Sequence, residues 1–531
     1  HYILKNILFI CNKISFLRKI HFLLFAFLVL FFSQCAKKGR PGGGPKDEDA
    51  PLFVTANPPY ESTNFNKNEI NIYFNEYIKL KDLNKQLIIS PPLNPANPSL
   101  ISPQGSPSKF INIKILDTLK ENSTYIFDFG NSVQDNNESN VLERFKYVFS
   151  TGTYIDSLTL EGNVKNAFKS EDLKNIKLLL YRLDSSYTDS AVYKRKPDYV
   201  TSSLDTSNYK FSNLRKGNYL LVALNDERSD YLFNPKTDEI GFLKDTITLP
   251  RDSIVKDVIS IFKEELSYKF KRGKEISKGK LILGYEGKAS KIKVETLSTV
   301  PDNFQVITFP EKEKDTINLW HTPIKRDSLI FKVSSNGISD TVTIRLRKKE
   351  IDSLKVTPTT SGVLNFKDTL FFATNNPILK IDTLNIYFVD GDTIKIPYKP
   401  FISKKESKIG FLFEKKLETS YKLILYPGAL TDLFKTSNDT LNSLFRTRGM
   451  DDYGEISLSI KNPNNTPVII QLTDINDNTI AQESTSKSNI ISFKYLTPKK
   501  YKIRIIYDTN TNDKWDTGNY LLKLHPESVE Y

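Results

Sequence analysis

The sequence predicts an all-β protein made of tandem β-sandwich domains. Aromatic residues form 12% of the chain, and Ile, Val and Thr are frequent, which favours pleated, half-buried strands over helices. A chain of 531 residues is too long for a single core, so several domains are expected. Two kinds of segment also occur twice each, which indicates repeated domains.

The N-terminal part of the sequence contains an apolar run, FLLFAFLVLFF (22–32). It is followed by one Ser, one Gln and then Cys35. Its 11 residues have the size of the hydrophobic region of a signal peptide and fall short of the roughly 20 that cross a bilayer. The other cysteine, Cys11, lies before the apolar run and would be removed with the signal peptide, so Cys35 has no disulfide partner in the mature chain. We therefore predict a signal peptide over 1–34. The resemblance of FFSQ-C to a bacterial lipobox predicts acylation of Cys35.

Two features keep alternatives to lipidation open. Gln34 stands where a lipobox has Gly, Ala or Ser, and the chain opens on His1, so an uncleaved anchor or a different start also fits. Acyl chains contribute about 0.8 kcal/mol per buried CH₂, so several chains would hold the protein in a membrane. The segment KKGRPGGGPKDEDAP has no core-forming residues, and we predict a flexible tether over 35–50.

The first kind of repeat spans 51–152 and 351–449. Both copies contain an alternating strand (INIYF or LNIYF), a later strand that begins with Ser, Thr and Tyr residues, and an Asp in a polar loop, Asp135 or Asp432. Alternation with a period of two is typical of a strand with one buried face. We predict one sandwich for each copy.

The second kind of repeat spans 153–250 and 450–531. Here FSNLRKGNYLLVALND aligns without gaps to FKYLTPKKYKIRIIYD, so that Asp226 matches Asp508. Residues 251–350 hold further short alternating segments bounded by Gly, Asn and Asp, which predict a fifth sandwich. The expected arrangement is five sandwiches in a row.

These residues carry a family resemblance. The first repeat, with NPP, INIYF and STY before a loop Asp, resembles the bacterial Ig-like domain of S-layer proteins. The second, with LEGNV and NLRKGNYLLVALND, resembles the transthyretin-like or carboxypeptidase-regulatory-like sandwich. The resemblance implies that HPESVEY ends within a continuing strand, so the copy over 450–531 is expected to be truncated. From CAKKGRPGGGPKDEDAP to YDTNTNDKWDTGNY, the chain resembles the Ig-like-domain outer-membrane lipoproteins of Bacteroidota. The resemblance implies a non-catalytic, lipid-anchored outer-membrane protein on the cell-surface side. It also implies a partner that is an integral outer-membrane β-barrel protein or another lipoprotein, in a complex for assembly, secretion or uptake.

The loop DTNTNDKWD admits two interpretations. Asp508, Asn510, Asn512 and Asp516 occupy positions 1, 3, 5 and 9 of a Ca²⁺ loop, where alternate oxygen ligands converge on one cation. However, Asp513 replaces the usual Gly, and the bidentate Glu is missing. The alternative is a polar hairpin loop whose Asp and Asn side chains cap backbone amides. Calcium is the one cofactor that the sequence raises, and the polar loop is the plainer interpretation.

The tripeptide Asp-Ser/Thr-aliphatic recurs thirteen times and resembles the O-glycosylation acceptor motif of Bacteroidota exported proteins. A strand that starts with a polar loop residue would produce the same pattern. Because a glycan is bulky, only exposed copies are expected to be modified. The candidate acceptors are Thr118, Ser157, Thr246, Ser328, Thr369, Thr383 and Thr440.

Catalysis and nucleic-acid binding find little support. After Cys35 the chain has only two histidines, His321 and His525, which are far apart, and no G-x-S-x-G, P-loop or H-E-x-x-H motif occurs. The net charge of +13 is diffuse, without a run of five basic residues, so a nucleic-acid partner is not expected. The prediction is a non-enzymatic surface lipoprotein that binds partner proteins. The alternative is a Ca²⁺-dependent glycan-binding or adhesin-like protein, for which Trp515 is the suggestive aromatic residue.

Overall fold

The computed structural model describes residues 46–311, 314–347, 349–360 and 362–531. The predicted signal peptide, Cys35 and most of the predicted tether lie outside the described residues. The described residues are 47% strand and 3% helix, which confirms the all-β tandem-sandwich prediction. Within the described ranges, no helix is both long enough and apolar enough to cross a membrane. In the part of the chain that the structure describes, helical structure is confined to short turns at Leu83–Gln86, Ala191–Lys194, Thr383–Asn385 and Met450–Asp452.

The strands of the first sandwich are β1 (Phe53–Asn57), β2 (Glu69–Leu80), β3 (Ile88–Ser90), β4 (Leu100–Ser102), β5 (Ser108–Lys114), β6 (Thr124–Asp128), β7 (Val133–Asp135) and β8 (Lys146–Ser150). One sheet has the order β1-β2-β5-β4 with β7 on β2, and the other has the order β3-β6-β8. Strand β2 shows why the sequence forms a sandwich. Ile70, Ile72 and Phe74 point into the core, while of the residues between them Asn71 is half-buried and Tyr73 is exposed.

The strands of the second sandwich are β9 (Leu158–Asn166), β10 (Lys177–Arg182), β11 (Tyr199–Ser202), β12 (Asn208–Leu214), β13 (Gly217–Asn225), β14 (Glu239–Phe242), β15 (Ile247–Leu249) and β16 (Ile259–Ile261). One sheet has the order β11-β10-β13-β14 with β15 on β13, and the other has the order β12-β9-β16. Because β16 pairs with β9 in parallel, this sandwich extends past the predicted boundary at residue 250.

The strands of the third sandwich are β17 (Lys269–Ser277), β18 (Lys280–Glu286), β19 (Lys293–Thr296), β20 (Val306–Pro310), β21 (Thr316–His321), β22 (Ser328–Ser335) and β23 (Ile338–Arg345). They form the sheets β17-β18-β21-β20 and β19-β22-β23. Strand β22 alternates strictly, with Leu329, Phe331 and Val333 buried in the core.

The strands of the fourth sandwich are β24 (Val356–Pro358), β25 (Gly362–Val363), β26 (Leu370–Thr374), β27 (Ile378–Ile381), β28 (Ile386–Asp390), β29 (Tyr398–Ile402), β30 (Lys408–Phe413), β31 (Ser420–Leu425), β32 (Leu430–Asp432) and β33 (Leu441–Arg446). Its sheets have the orders β24-β26-β30-β29 and β25-β33-β31-β28, with β27 paired to β32.

The strands of the fifth sandwich are β34 (Gly454–Ile460), β35 (Val468–Thr473), β36 (Thr479–Thr485), β37 (Asn489–Leu496), β38 (Lys502–Tyr507) and β39 (Val529–Glu530). They form a four-stranded sheet, β36-β35-β38-β39, and a two-stranded sheet, β34-β37. The long connection between β38 and β39 contains the DTNTNDKWD loop.

Matching tyrosines fix one corner of each copy of the first repeat. The hydroxyl of Tyr125 accepts the backbone N–H of Lys120 at 2.8 Å, and the hydroxyl of Tyr421 accepts the N–H of Lys416 at 2.8 Å. Both rings are buried. A buried hydroxyl without a hydrogen-bond partner would be costly, and in both copies the backbone N–H supplies that partner. The same tyrosine corner therefore occurs in both copies of the first repeat.

The loop aspartates of the first repeat act as caps in both copies. Asp135 accepts three backbone N–H groups from its own loop at 2.6 to 3.2 Å. Asp432 accepts the N–H groups of Phe434 and Thr436 at 2.9 and 2.8 Å. Burial alone would raise the pKa of Asp135, but the N–H groups that it accepts hold its pKa below the ordinary value.

Asp156 joins the first sandwich to the second. Its buried carboxylate accepts the hydroxyl of Thr124 at 2.9 Å from the first sandwich and Nε of Arg215 at 3.1 Å from the second. The side chain of Asn213 donates to the Asp156 carbonyl at 2.8 Å. Charge-assisted hydrogen bonds are directional, so they fix the orientation of the two sandwiches at this junction as well as holding them in contact.

The fifth sandwich folds back onto the second. The side chain of Tyr520 is buried in an apolar cluster of the second sandwich that includes Tyr181 and Phe242. Lys523 forms an ion pair with Asp189 at 2.8 Å across the same contact. The five sandwiches therefore do not form the simple row expected from their order in the sequence.

Candidate functional site

The predicted calcium loop is closed by hydrogen bonds among its own side chains and backbone. The two carboxylate oxygens of Asp508 accept the backbone N–H groups of Asn512 and Asp513 at 3.1 and 2.9 Å. One oxygen of Asp516 receives the side-chain amides of Asn510 and Asn512 at 2.5 and 2.7 Å. The structure therefore brings all four predicted ligands together in one loop, with Asp508 buried and Asp516 at its edge.

The matching loop of the second sandwich uses its aspartate in the same way. Asp226 accepts the backbone N–H groups of Arg228 and Tyr231 at 3.1 and 2.7 Å. Amide capping is thus common to both copies, which agrees with the polar-loop interpretation. Within the described ranges, no group of three or more His, Cys, Asp or Glu side chains is arranged to hold a metal ion. Calcium binding at the four residues stays a prediction.

Glu527 ties the loop to the strand that follows it. One of its carboxylate oxygens accepts the backbone N–H of Thr509 at 2.7 Å, and the other accepts the N–H of Asp516 at 3.1 Å. The carbonyl of Glu527 also accepts Nε1 of Trp515 at 3.0 Å. Both ends of the loop are therefore fixed by one buried acid that no sequence motif marks.

Trp515 lies in the interface between the second and fifth sandwiches. Its ring is half-buried, and its centroid is 4.7 Å from that of Phe168 in the second sandwich. With the indole N–H bonded to Glu527, both the face and the polar edge of the ring have partners. Trp515, the aromatic residue that suggested glycan binding, therefore contributes to the contact between the second and fifth sandwiches.

A buried arginine supports the same interface. Arg504 is 0% exposed, and its guanidinium lies 4.1 Å from the centre of the Phe168 ring. Its nitrogens donate to Gln471 at 3.0 Å, to the Asp477 carbonyl at 3.1 Å and to the Tyr531 hydroxyl at 2.8 Å. A desolvated guanidinium needs such partners, and stacking on an aromatic face adds to them.

Tyr520 is the central anchor of the interface. Its ring is 0% exposed and meets the ring of Phe242 edge-on at 5.3 Å between centroids. The Tyr520 hydroxyl lies 3.2 Å from the hydroxyl of Tyr187, and Nζ of Lys523 lies 4.0 Å from the centre of the Tyr520 ring. A fully desolvated aromatic ring surrounded by polar contacts is the arrangement found at protein-interface hot spots.

Glu264 holds the backbone of the anchor. Its carboxylate accepts the N–H of Tyr520 at 2.6 Å, and the nearby carbonyl of Lys263 accepts the Thr517 hydroxyl at 2.6 Å. Burial raises the pKa of Glu264, and the hydrogen bond from Tyr520 only partly offsets this effect. No sequence motif marks Glu264, because acidic residues beside strands are common. The apolar residues that follow the polar loop were the available sequence signal for Tyr520.

The two histidines lie in different sandwiches. His321 is buried on β21, with Nδ1 2.9 Å from the Thr322 carbonyl, and burial lowers its pKa. His525 packs against Phe242 at 4.5 Å between ring centroids, and burial and Lys244 lower its pKa. His525 also borders an open groove of about 710 Å³ along residues 242–260. Because the two histidines lie in different sandwiches, each agrees with a packing role in its own sandwich.

Five of the seven candidate glycan acceptors have exposed side chains. These are Thr118, Ser157, Thr246, Thr383 and Thr440. Ser328 and Thr369 are half-buried, and Ser328 is the first residue of β22, where it pairs with Arg345. The five exposed positions have the access that a glycan needs, and modification of any of them stays a prediction. Cys35 lies outside the described residues.

Replacing Tyr520 with Ala should open the interface. Loss of a buried aromatic ring costs about 3–5 kcal/mol of stability when the cavity does not collapse. We expect a lower denaturation midpoint and a larger radius of gyration by small-angle X-ray scattering. Leu522→Ala is the matched control, because Leu522 lies two residues away and is 69% exposed. Equal effects of the two substitutions would contradict an anchoring role for Tyr520.

Replacing Glu264 with Gln should change the pH dependence of stability. The raised pKa means that folding favours the protonated acid, so its contribution is fully present below the unfolded pKa near 4.5 and is lost as pH rises through the folded pKa. We expect the difference in Tm, Gln variant minus wild type, to grow from pH 4.5 to pH 7.5. Glu265→Gln is the control, because Glu265 is exposed and paired with Lys288. A pH-independent difference at position 264 would refute the assignment.

Residues 47–151 match the family model of the bacterial Ig-like domain. This range coincides with the first sandwich and confirms the Ig-like resemblance for that part of the chain. A comparison with curated proteins finds no match.

Three solved structures that match the chain have low sequence identity and low TM-scores. The S-layer protein rSbsC(31-844) is 12% identical, with 90% of this chain and 66% of that chain covered and a TM-score of 0.16. The Escherichia coli adhesin FdeC is 9% identical, with 76% and 99% covered and a TM-score of 0.13. The Bacteroides ovatus glucan-utilization protein SGBP-B, solved with a mixed-linkage heptasaccharide, is 11% identical, with 63% and 87% covered and a TM-score of 0.17. The chain spans about two thirds of the S-layer protein. The first sandwich is thus similar to a bacterial Ig-like domain within a chain of β-sandwiches.

Proposed function

We propose that this protein is a non-enzymatic, lipid-anchored protein of the outer membrane that binds other proteins at the cell surface. Its partner is an integral outer-membrane β-barrel protein or another lipoprotein, in a complex for assembly, secretion or uptake. The observation that carries the proposal is the contact between the fifth sandwich and the second. This contact holds two sandwiches that are far apart in the sequence in a fixed arrangement.

The contact between the second and fifth sandwiches supports an interaction role, because sandwiches held rigidly keep their loops and strand edges in fixed positions. Binding residues are most often presented on loops and edges above a rigid scaffold. The interface around Tyr520 contains aromatic, ionic and backbone contacts together. Such a body loses less conformational entropy on binding than a flexible string of domains would lose.

The anchor is inferred from the sequence before the described residues. Cys35 follows an apolar run of signal-peptide length and precedes a Gly- and Pro-rich tether. Acyl chains on Cys35 would hold the tether at a membrane, and the match of 47–151 places an Ig-like sandwich directly after it. The tether predicted over 35–50 would let the folded domains reach a partner embedded in the same membrane.

Mass spectrometry of the mature protein, combined with membrane cross-linking, tests this proposal. We expect an N-terminus at Cys35 that carries acyl chains, and a cross-linked integral outer-membrane protein after mild detergent extraction. The Cys35→Ser variant is the control and should leave the membrane fraction. An unmodified Cys35, or a protein that is isolated alone from membranes, would contradict the anchor or the partner respectively. Peptide mapping of the same sample reports any glycan on the five exposed acceptors.

The alternative function, a Ca²⁺-dependent adhesin, rests on the convergence of Asn510 and Asn512 on Asp516. Rotation of either amide would turn an oxygen toward a cation. A bound ion should raise Tm, because a ligand that binds only the folded state stabilises it. We expect Ca²⁺ to raise Tm, EGTA to reverse the rise, and Asp516→Asn to remove it. Unchanged melting in both conditions would reject calcium binding.

A further inference from the structure

The first sandwich presents the outer face of its larger sheet to solvent. Strands β2 and β5 pair in this sheet, and their inward side chains Ile70, Ile72, Ile111 and Ile113 are each 0% exposed. The residues between them point to the opposite side, because successive side chains of a strand alternate between the two faces. These outward residues therefore lie outside the core, and their identity is not set by core packing.

Two aromatic rings lie side by side on this outer face. Tyr73 of β2 is opposite Phe110 of β5, with ring centroids 5.7 Å apart and ring planes tilted by 40°. Tyr73 is 39% exposed and Phe110 is 41% exposed, although Phe is among the residues most often buried in folded proteins. A large part of each ring is therefore open to a ligand.

A row of uncharged polar side chains runs next to the rings. Asn71 lies opposite Asn112, and the row continues to Asn57 on β1 and Ser102 on β4. Nδ2 of Asn112 donates to Oδ1 of Asn71 at 2.8 Å and to Oε1 of Glu69 at 2.6 Å, which fixes both amides. Among the described residues, Nδ2 of Asn71 and Oδ1 of Asn112 have no protein partner. One donor and one acceptor are thus held in place for a ligand.

This combination of groups matches the chemistry of a sugar. A pyranose ring has a face of C–H groups that stacks on an aromatic ring, and its hydroxyls both donate and accept hydrogen bonds, as amides do. Neighbouring strands lie about 4.8 Å apart, so the four strands that carry the polar row span about 14 Å. The outer face is therefore long enough for several units of an extended oligosaccharide.

The charges beside the row favour a neutral ligand. Glu69 lies opposite Lys114, so the two charges balance. Lys109 lies beyond the register shift between the two strands, with Nζ 5.4 Å from the centre of the Tyr77 ring. A membrane surface would favour a cluster of Lys and Arg, and a protein interface would favour a larger apolar centre than two rings. A neutral glycan fits the face better than either.

The four-stranded sheet of the fourth sandwich provides an internal comparison. Its outward rings Phe371 and Phe401 are half-buried and meet edge-on, with centroids 5.8 Å apart, over Gly410. Beside them Ala373 lies opposite Lys408, where the first sandwich has two amides. Cross-strand aromatic packing alone stabilises a sheet, and the fourth sandwich shows this case. The exposed rings and the amide row of the first sandwich are additional features.

We propose that the outer face of β2 and β5 binds a neutral glycan. Tyr73 and Phe110 stack on its sugar rings, and Asn71 and Asn112 form hydrogen bonds to its hydroxyls. This binding needs no calcium, so it is separate from the loop around Asp508. It is also a second activity beside protein binding, because the face lies on the first sandwich and the contact that carries the proposed function joins the second and fifth.

Isothermal titration calorimetry of the purified full chain tests the site, with β-1,4-linked hexasaccharides of glucose, mannose and xylose as neutral probes and EGTA present throughout. We expect saturable binding of at least one probe. Tyr73→Ala and Phe110→Ala should each weaken it about tenfold or more, because a stacking surface is lost. Tyr73→Phe keeps the ring and should bind nearly as wild type. Phe371→Ala is the matched control on the fourth sandwich and should leave binding unchanged.

Hydroxyl-radical footprinting of the wild-type protein gives a second readout that does not depend on the folding of a variant. The bound hexasaccharide should protect Tyr73 and Phe110 from oxidation and leave the exposed Tyr426 unprotected. Protection elsewhere without protection of these two rings would overturn the proposal. Equal melting of Tyr73→Ala and Tyr73→Phe shows that the Ala variant is folded; if it is not, the footprint decides the outcome.

The proposal is also overturned if no neutral hexasaccharide binds, if binding requires calcium, or if Tyr73→Ala and Phe371→Ala have equal effects. Tighter binding of a galacturonic acid hexasaccharide would contradict the assignment to a neutral glycan. If no sugar binds and Tyr73→Ala removes the cross-linked membrane protein, the face belongs to a protein partner. Glycan binding with no cross-linked partner would contradict only the proposed function.

Discussion

The burial of Tyr520 in the second sandwich is the contact on which the arrangement of the chain depends. An aromatic ring that is fully removed from water contributes several times more than an exposed ion pair, so this residue dominates its interface. The surrounding contacts fix its direction: Glu264 holds its backbone N–H and Lys523 lies over its ring. Two modules that are far apart in sequence are thereby held against each other.

The aspartates of the polar loops stabilise the fold by accepting hydrogen bonds from the backbone. Asp135 and Asp432, like Asp226 and Asp508, accept backbone N–H groups in loops that connect buried strands. A buried N–H without an acceptor is costly, and a short acidic side chain satisfies several at once. Repeated aspartates therefore need no catalytic or metal-binding explanation, although a loop of this composition keeps the oxygen ligands that calcium uses.

The second and fifth sandwiches share the pairing of their matched strands. Phe211 lies opposite Leu160 and its match Phe493 lies opposite Ile456. Leu224 lies opposite Ile240 and its match Ile506 lies opposite Val529. The repeated sequence pattern therefore gives the same strand pairing in both copies.

The sequence by itself determined the all-β class, the two kinds of repeat and the pairing of Asp226 with Asp508, because strand alternation and turn residues are local signals. It also led to the loop around Asp508 and to Cys35, whose chemistry is carried by a few adjacent residues. Only the tertiary structure showed that β16 belongs to the second sandwich, that Trp515 is engaged by Phe168, and that Tyr520 anchors a fold-back. Those contacts join residues that are 95 positions apart, for Ile259 and Val164, to 347 positions apart, for Trp515 and Phe168. A local sequence pattern does not specify which distant strand or ring a residue contacts.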